Sequence, residues 1–241
     1  MKVAVINFSG NVGKSTIARH LLLPRFEGAE LIAVESLNAD DGQGKAIRGR
    51  QFGELQEYLN TMESVVVDIG ASNVEDLLAL MTRYRGSHED FDCFVVPTVS
   101  ALKQQRDTIA TLTELGRLGI PPTSLKLVFN MVEDGVEVAQ CFESLLAFVA
   151  QHGLAVANPA CRVGVNEVYG RLKGSTDTLD ALARDETDYK ALIAKAPTVA
   201  DKLALAQKLA THRLASGVLQ ELDACYAALE FAGGASHNVN R

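Results

Sequence analysis

The stretch "NFSGNVGKST", residues 7–16, closes a short apolar run and carries residue types suited to holding phosphate. Gly10 and Gly13 let the backbone N–H groups of Gly10, Asn11, Val12 and Gly13 turn inward around an anion. A helix that starts at Lys14 aims the partial positive charge of its N-terminus at the same point. Lys14 can reach the β- and γ-phosphates, Ser15 can give a hydroxyl to Mg²⁺, and Thr16 can hold the α-phosphate end. The usual loop pattern, G-x-x-x-x-G-K-[ST], wants a glycine where this chain has Phe8. The plainer alternative is a strand–helix turn with an incidental Gly-Lys-Ser. Its place directly after the first strand, opening a helix, favours phosphate binding.

The elements that must position this loop can be read along the chain. KVAVIN (2–7) reads as a buried strand, and 14–23 as a helix stopped by Pro24. LIAVE (31–35), SVVVDIG (64–70), FDCFVVP (91–97) and SLKLVFNMV (124–132) read as further strands. Their continuous apolar runs suit strands covered on both faces. Helices are expected near 50–60, 74–84, 101–118 and 137–151, with LAVAN (154–158) as a short sixth strand. Regular alternation of strand and helix predicts an α/β fold: a doubly wound, mostly parallel sheet flanked by helices. From 175 onward no strand pattern remains. Pro197 divides this helical tail, and one long helix is expected from Thr198 to Phe231, followed by a polar, frayed end. The expected division is therefore a nucleotide-binding unit over 1–170 and a helical extension over 171–241, packed on it.

Composition narrows the classes. At 47% hydrophobic and 22% charged residues, the chain is an ordinary globular protein. Its net charge of −7 argues against a broad DNA-binding face. The four cysteines, Cys93, Cys141, Cys161 and Cys225, are widely spaced, which suits reduced thiols rather than zinc. The leading run MKVAVINF is short for a signal peptide, and no stretch approaches a membrane span. A cytoplasmic protein is expected.

"SGNVGKST" resembles the deviant phosphate loop, K-G-G-x-G-K-[ST], of the ParA/MinD group of ATPases, SIMIBI-type P-loop proteins with a deviant Walker A motif. Gly10, Val12, Gly13, Lys14 and Ser15 match, and Asn11 replaces the second glycine. Ser9 stands where the family has its signature lysine, which reaches the partner subunit's phosphates. "VVVDIGAS" looks like the family's third-strand motif. That likeness implies Asp68 near Mg²⁺, directly or through water, and Gly70 and Ala71 beside a γ-phosphate. "VFNMV" looks like the fifth-strand motif, implying that Asn130 reads adenine. The second strand departs from the family's D-x-D: Glu35 can take the first place, Leu37 cannot orient water, and Asp40 or Asp41 are candidate substitutes or plain loop carboxylates. The words "NFSGNVGKST", "HLLLPR" and "LDALARDETDYKALI" are closest to the plasmid-stability StbB type.

The resemblance implies an ATP- and Mg²⁺-binding partition protein with Lys14 and Asp68 at the catalytic centre. It would act in plasmid stability or positioning as a nucleotide-dependent homodimer, with a DNA-binding adaptor as partner and weak ATPase activity. A nucleotide-bound scaffold without hydrolysis is the alternative, favoured by Ser9 and Leu37; a small-molecule synthetase or kinase of related fold is a third. Asn130 and the want of an N-K-x-D stretch favour ATP over GTP. Lys190, Lys195, Lys202, Lys208 and Arg213 form either a DNA patch or a solvated face salted by Asp188 and Asp201, the second reading being preferred. No basic amphipathic end suggests membrane anchoring.

Overall fold

The computed structural model of the chain describes residues 1–34, 49–172 and 177–231. Its six strands are β1 (Lys2–Val5), β2 (Glu30–Ala33), β3 (Val65–Asp68), β4 (Cys93–Thr98), β5 (Leu125–Val132) and β6 (Arg162–Gly164). They form one sheet in the order β2-β3-β1-β4-β5-β6. Every strand pairing in it is parallel. The chain leaves β1 for one edge, returns through β3 and then builds outward on the other side. A crevice at the carboxyl ends of β1 and its neighbours is the consequence, and such crevices are where open α/β sheets bind ligands.

Alternate strand residues feed two cores, as the period of two requires. Ala4, Ile6, Val65 and Val67 enter one layer, beneath α2 (Gly49–Thr61), α3 (Val74–Arg83) and α4 (Leu102–Arg117). Val3, Val5 and Val66 enter the other, beneath the helix that follows the loop and the helices of the tail. The helix after the loop, α1, begins as an α-turn at Lys14–Thr16 and widens into a π-helix over Ile17–Leu22. It ends in a 3-10 turn, Leu23–Arg25, that contains Pro24. The Arg25 guanidinium donates to the carbonyls of His20 (3.0 Å) and Leu21 (2.8 Å) and pairs with Asp223.

Two expectations need correcting. LAVAN is not the sixth strand; Val156 makes only an isolated bridge to Lys126, and β6 is Arg162–Gly164. The expected helix over 137–151 is broken at Phe142, giving α5 (Val138–Cys141) and α6 (Glu143–His152). Phe142 leaves helical geometry while its ring is buried against Phe129, at 4.8 Å between centroids.

The tail is helical among its described residues: α7 (Val168–Leu172), α8 (Leu179–Ala183), α9 (Tyr189–Lys195) and α10 (Val199–Leu229). Thr178, Asp188 and Thr198 cap α8, α9 and α10 by accepting backbone N–H bonds, satisfying donors that a helix start leaves open. In α10 the buried residues are Ala215, Val218, Leu222, Cys225 and Leu229, a helical stripe that packs on α1. Earlier in the same helix, Val199 and Leu203 remain exposed.

Candidate nucleotide site

Register explains how the site assembles. Val5, the last residue of β1, pairs with Asp68 at the end of β3, which in turn pairs with Ala33 at the end of β2. The loop leaving β1 therefore starts beside the Asp68 carboxylate. Loop and carboxylate line one cavity of about 950 Å³, along with Gly70, Ala71 and Ala33 on the β3 side. Gly10, Asn11, Gly13, Lys14, Ser15 and Thr16 all face it. Val12 does not; it is fully buried and anchors the loop to the core.

The loop's shape needs its residue types. Asn11 (φ 57) and Gly13 (φ 82) both adopt the left-handed conformation, which turns successive N–H groups to one side. At Gly13 a β-carbon would lie 2.0 Å from Asn130 Nδ2, so only glycine fits. Lys14, 7% exposed, places its Nζ on the carbonyls of Ser9 (2.7 Å) and Asn7 (3.2 Å). A buried ammonium on loop carbonyls sits ready to exchange one of them for a phosphate oxygen.

Behind the loop lies a buried polar brace. Asn7 donates to the Pro97 carbonyl and to Thr108 Oγ1, each at 2.9 Å, and accepts from Ser9 N–H at 2.8 Å. Phe8 N–H donates to Thr111 Oγ1 at 3.1 Å. Ser9 is 3% exposed and turned inward, its side chain toward Asp107. Asp107 accepts from Lys103 at 2.8 Å, and that bond, with a smaller contribution from Ser9, holds its carboxyl below the usual range. Ser9 thus faces α4, and offers nothing that reaches outward as a lysine would.

Asn130 stands near the end of β5, behind the loop. It is 2% exposed, is not part of the cavity lining, and donates its amide to the Val12 carbonyl at 2.9 Å. Its visible work is to brace the loop. The next residue, Met131, with φ 55, is the one that emerges into the cavity. Glu35, Leu37, Asp40 and Asp41 lie outside the described residues.

Sequence reasoning missed the far wall: Arg19, His20, Tyr169, Leu172 and Asp177. The His20 and Tyr169 rings lie 5.7 Å apart between centroids, tilted by 40°. Burial, and secondarily the Arg19 charge, hold the His20 pKa below its ordinary value. Burial, followed by the Glu221 charge, raises that of the Tyr169 hydroxyl. Only the spacing of His20 from Lys14 on the same helix could have marked it.

Among the described residues no group of three or more His, Cys, Asp or Glu could hold a metal alone. Ser15 and Asp68 nevertheless supply hard oxygen donors to one cavity, which fits Mg²⁺ held by one or two protein oxygens plus phosphates. The basic side chains Lys190, Lys195, Lys202, Lys208 and Arg213 are exposed on α9 and α10, interspersed with Asp188 and Asp201, which serve the helix starts. No described helix is long and apolar enough to cross a membrane.

No family model matches the chain, and no curated protein matches it. Several solved structures are similar. Apo McdA of Cyanothece is 13% identical over 86% of this chain and 98% of its own, with a TM-score of 0.48. A plasmid partition protein of Borrelia burgdorferi B31 bound to AMPPNP is 13% identical over 86% and 97%, with a TM-score of 0.44. The pNOB8 ParA bound to nonspecific DNA is 13% identical over 92% and 98%, with a TM-score of 0.36. Identities and scores at this level carry no function across to this chain.

Proposed function

We propose that the chain binds ATP with Mg²⁺ in this cavity and works as a partition-type nucleotide switch that hydrolyses slowly. The observation that carries the reading is the buried Lys14 ammonium, held inside a left-handed loop at the end of β1, with Asp68 brought to the same cavity by strand register. The loop N–H groups and the start of α1 bind the phosphates. Lys14 leaves a loop carbonyl for the β/γ-phosphate oxygens and offsets their charge. Ser15 and Asp68 would hold Mg²⁺, which supplies further charge neutralisation when bound. Gly70 and Ala71 bring backbone to the γ-phosphate side, so ATP and ADP contact β3's exit differently. Differential contact is what lets a nucleotide shift a conformational equilibrium.

Further parts of this reading follow the sequence resemblance. They are a homodimer formed with ATP, a DNA-binding adaptor as partner, a role in plasmid stability of the StbB type, and a nucleotide unit over 1–170 carrying a helical extension. Adenine reading by Asn130 belongs with them and requires its amide to turn away from Val12. A nucleotide-bound scaffold without turnover is the second reading. It is favoured by Ser9, whose inward turn toward Asp107 leaves no cation at that point of the loop.

Calorimetry with ATP and Mg²⁺, on the wild type and Lys14→Ala, tests binding. The expected result is saturable binding that Lys14→Ala abolishes, because a positioned point charge on phosphate has no substitute. Unchanged affinity in Lys14→Ala overturns the site. Turnover below about one per minute is expected for the protein alone, as for switch NTPases awaiting a partner. Sedimentation with and without ATP separates switch from scaffold: a dimer that forms only with ATP supports the switch.

A further inference from the structure

We propose that the end of the cavity bounded by His20, Tyr169 and Leu172 is the nucleoside subsite, with the base lying against the Tyr169 ring. This inference rests on the nucleotide reading and names how the rest of the ligand is held.

Direction comes from the layout of the lining. The phosphates are fixed at the loop, and Asp68, Gly70 and Ala71 bound the cavity on the β3 side. A triphosphate whose γ end lies there must run its α end along α1, past Ser15 and Thr16. Arg19 and His20 follow on that helix and face the same cavity. One helical turn is about 5 Å, so a group joined to the α-phosphate at Thr16 meets His20 and then the Tyr169 ring beside it.

The chemistry of this end suits a planar, weakly polar group. The loop end is backbone N–H, ammonium and hydroxyl; this end sets imidazole, phenol ring and Leu172 between the charged Arg19 and Asp177. The imidazole is biased toward its neutral form, so covering it with a base does not bury a charge. The Tyr169 hydroxyl is buried, and burial raises its pKa. Its helix, α7, is fixed at its start by Val168 N–H on Asn166 Oδ1 (2.9 Å). The ring therefore presents a fixed face to the cavity while its polar end points into the protein. Asn130 spends its amide on Val12 and lies outside the lining, so in this arrangement the rings at the far end are what a base would meet first.

The test compares ATP with inorganic tripolyphosphate, which has the phosphates without the nucleoside. Titration calorimetry is run on the wild type, Tyr169→Phe, Tyr169→Leu and His20→Ala, with circular dichroism as the fold control. Tyr169→Phe keeps the ring and should stay within about twofold for both ligands. Tyr169→Leu should weaken ATP about tenfold, the scale of one aromatic–base stack, and leave tripolyphosphate within about twofold. His20→Ala should show the same selective loss at about threefold, and it carries the test if Tyr169→Leu does not fold. Equal losses for both ligands, or no loss of ATP in Tyr169→Leu and His20→Ala, overturn the subsite while leaving the phosphate loop standing. A wild type that binds neither ligand overturns the nucleotide reading and the subsite with it.

Discussion

The two ends of the cavity are built in opposite ways. The loop end is contiguous in sequence: Gly10 to Thr16 supply its contacts, and its shape comes from two left-handed residues and a helix start. The far end is assembled from His20 and Tyr169, about 150 positions apart, brought together because the helices that follow β6 pack on the same face of the sheet as α1. A contiguous site can hold a ligand feature shared by many molecules, such as a phosphate. An assembled site depends on the whole fold and is the part free to choose among ligands.

The largest effect should come from Gly13→Ala. It forces a β-carbon to within 2.0 Å of Asn130 Nδ2 at a residue with φ 82. The Asn130 amide has little room to yield, since it is buried and bonded to Val12. Loss of detectable binding of both ATP and tripolyphosphate is expected, with stability lowered by about 1–3 kcal/mol. Retained tripolyphosphate binding by calorimetry would show that the loop tolerates other geometries, and the contrast between the two ends would weaken.

Asn130→Ala should have an intermediate effect and sharpens the contrast most. A residue that braces the loop must affect every ligand of the loop alike. The expected outcome is about a fivefold loss for ATP and tripolyphosphate together, the scale of one buried hydrogen bond. A loss confined to ATP would return the base-reading role to Asn130.

How legible each end was follows from these distances. The loop was readable because its signal is local, and Asp68 because a central parallel strand fixes where its last residue stands. The role of Asn130 was read as facing the ligand because the end of β5 gives no hint of a partner in the loop 118 positions earlier. Tyr169 was invisible, because an aromatic in a five-residue helix carries no periodic signature. The π-helical widening of α1 was equally hidden, since its freed carbonyls are taken by Arg25, itself paired with Asp223 far along the tail. LAVAN misled because its apolar alternation satisfies a strand pattern while pairing at a single bridge.

Thiol reactivity gives a further, smaller contrast. Burial raises Cys93 and Cys225 to about 12 and Cys161 to about 11, while Cys141 is only half-buried. At pH 8 a disulfide reagent should label Cys141 first, the other three following slowly through opening of the structure. Cys161 and Cys225 lie in the core beneath the assembled end. Tyr169→Leu should therefore speed their labelling, by about threefold, and Asn130→Ala should not. Equal acceleration in both variants would mean that the two ends open as one unit.

The smallest expected effect lies behind the loop, at Asp107. This carboxylate accepts from Lys103 and lies near the Ser9 side chain, and its pKa is lowered chiefly by the Lys103 bond. A lowered folded-state pKa means the contribution is present at neutral pH and above the ordinary carboxylate value of about 4. It is lost as pH falls below that value and through the folded one. Asp107 is half-buried, but Lys103 is 77% exposed and their bond lies at the surface, so solvent screens most of the pairing. Asp107→Asn should weaken ATP and tripolyphosphate equally, by about twofold at pH 7, with the difference from wild type shrinking as the pH falls through the lowered Asp107 pKa. Lys103→Ala should do less, because Asp107 then stays beside Ser9. A loss for ATP alone, or a difference that grows as the pH falls, would show that α4 acts on the ligand by a route other than the Ser9 contact.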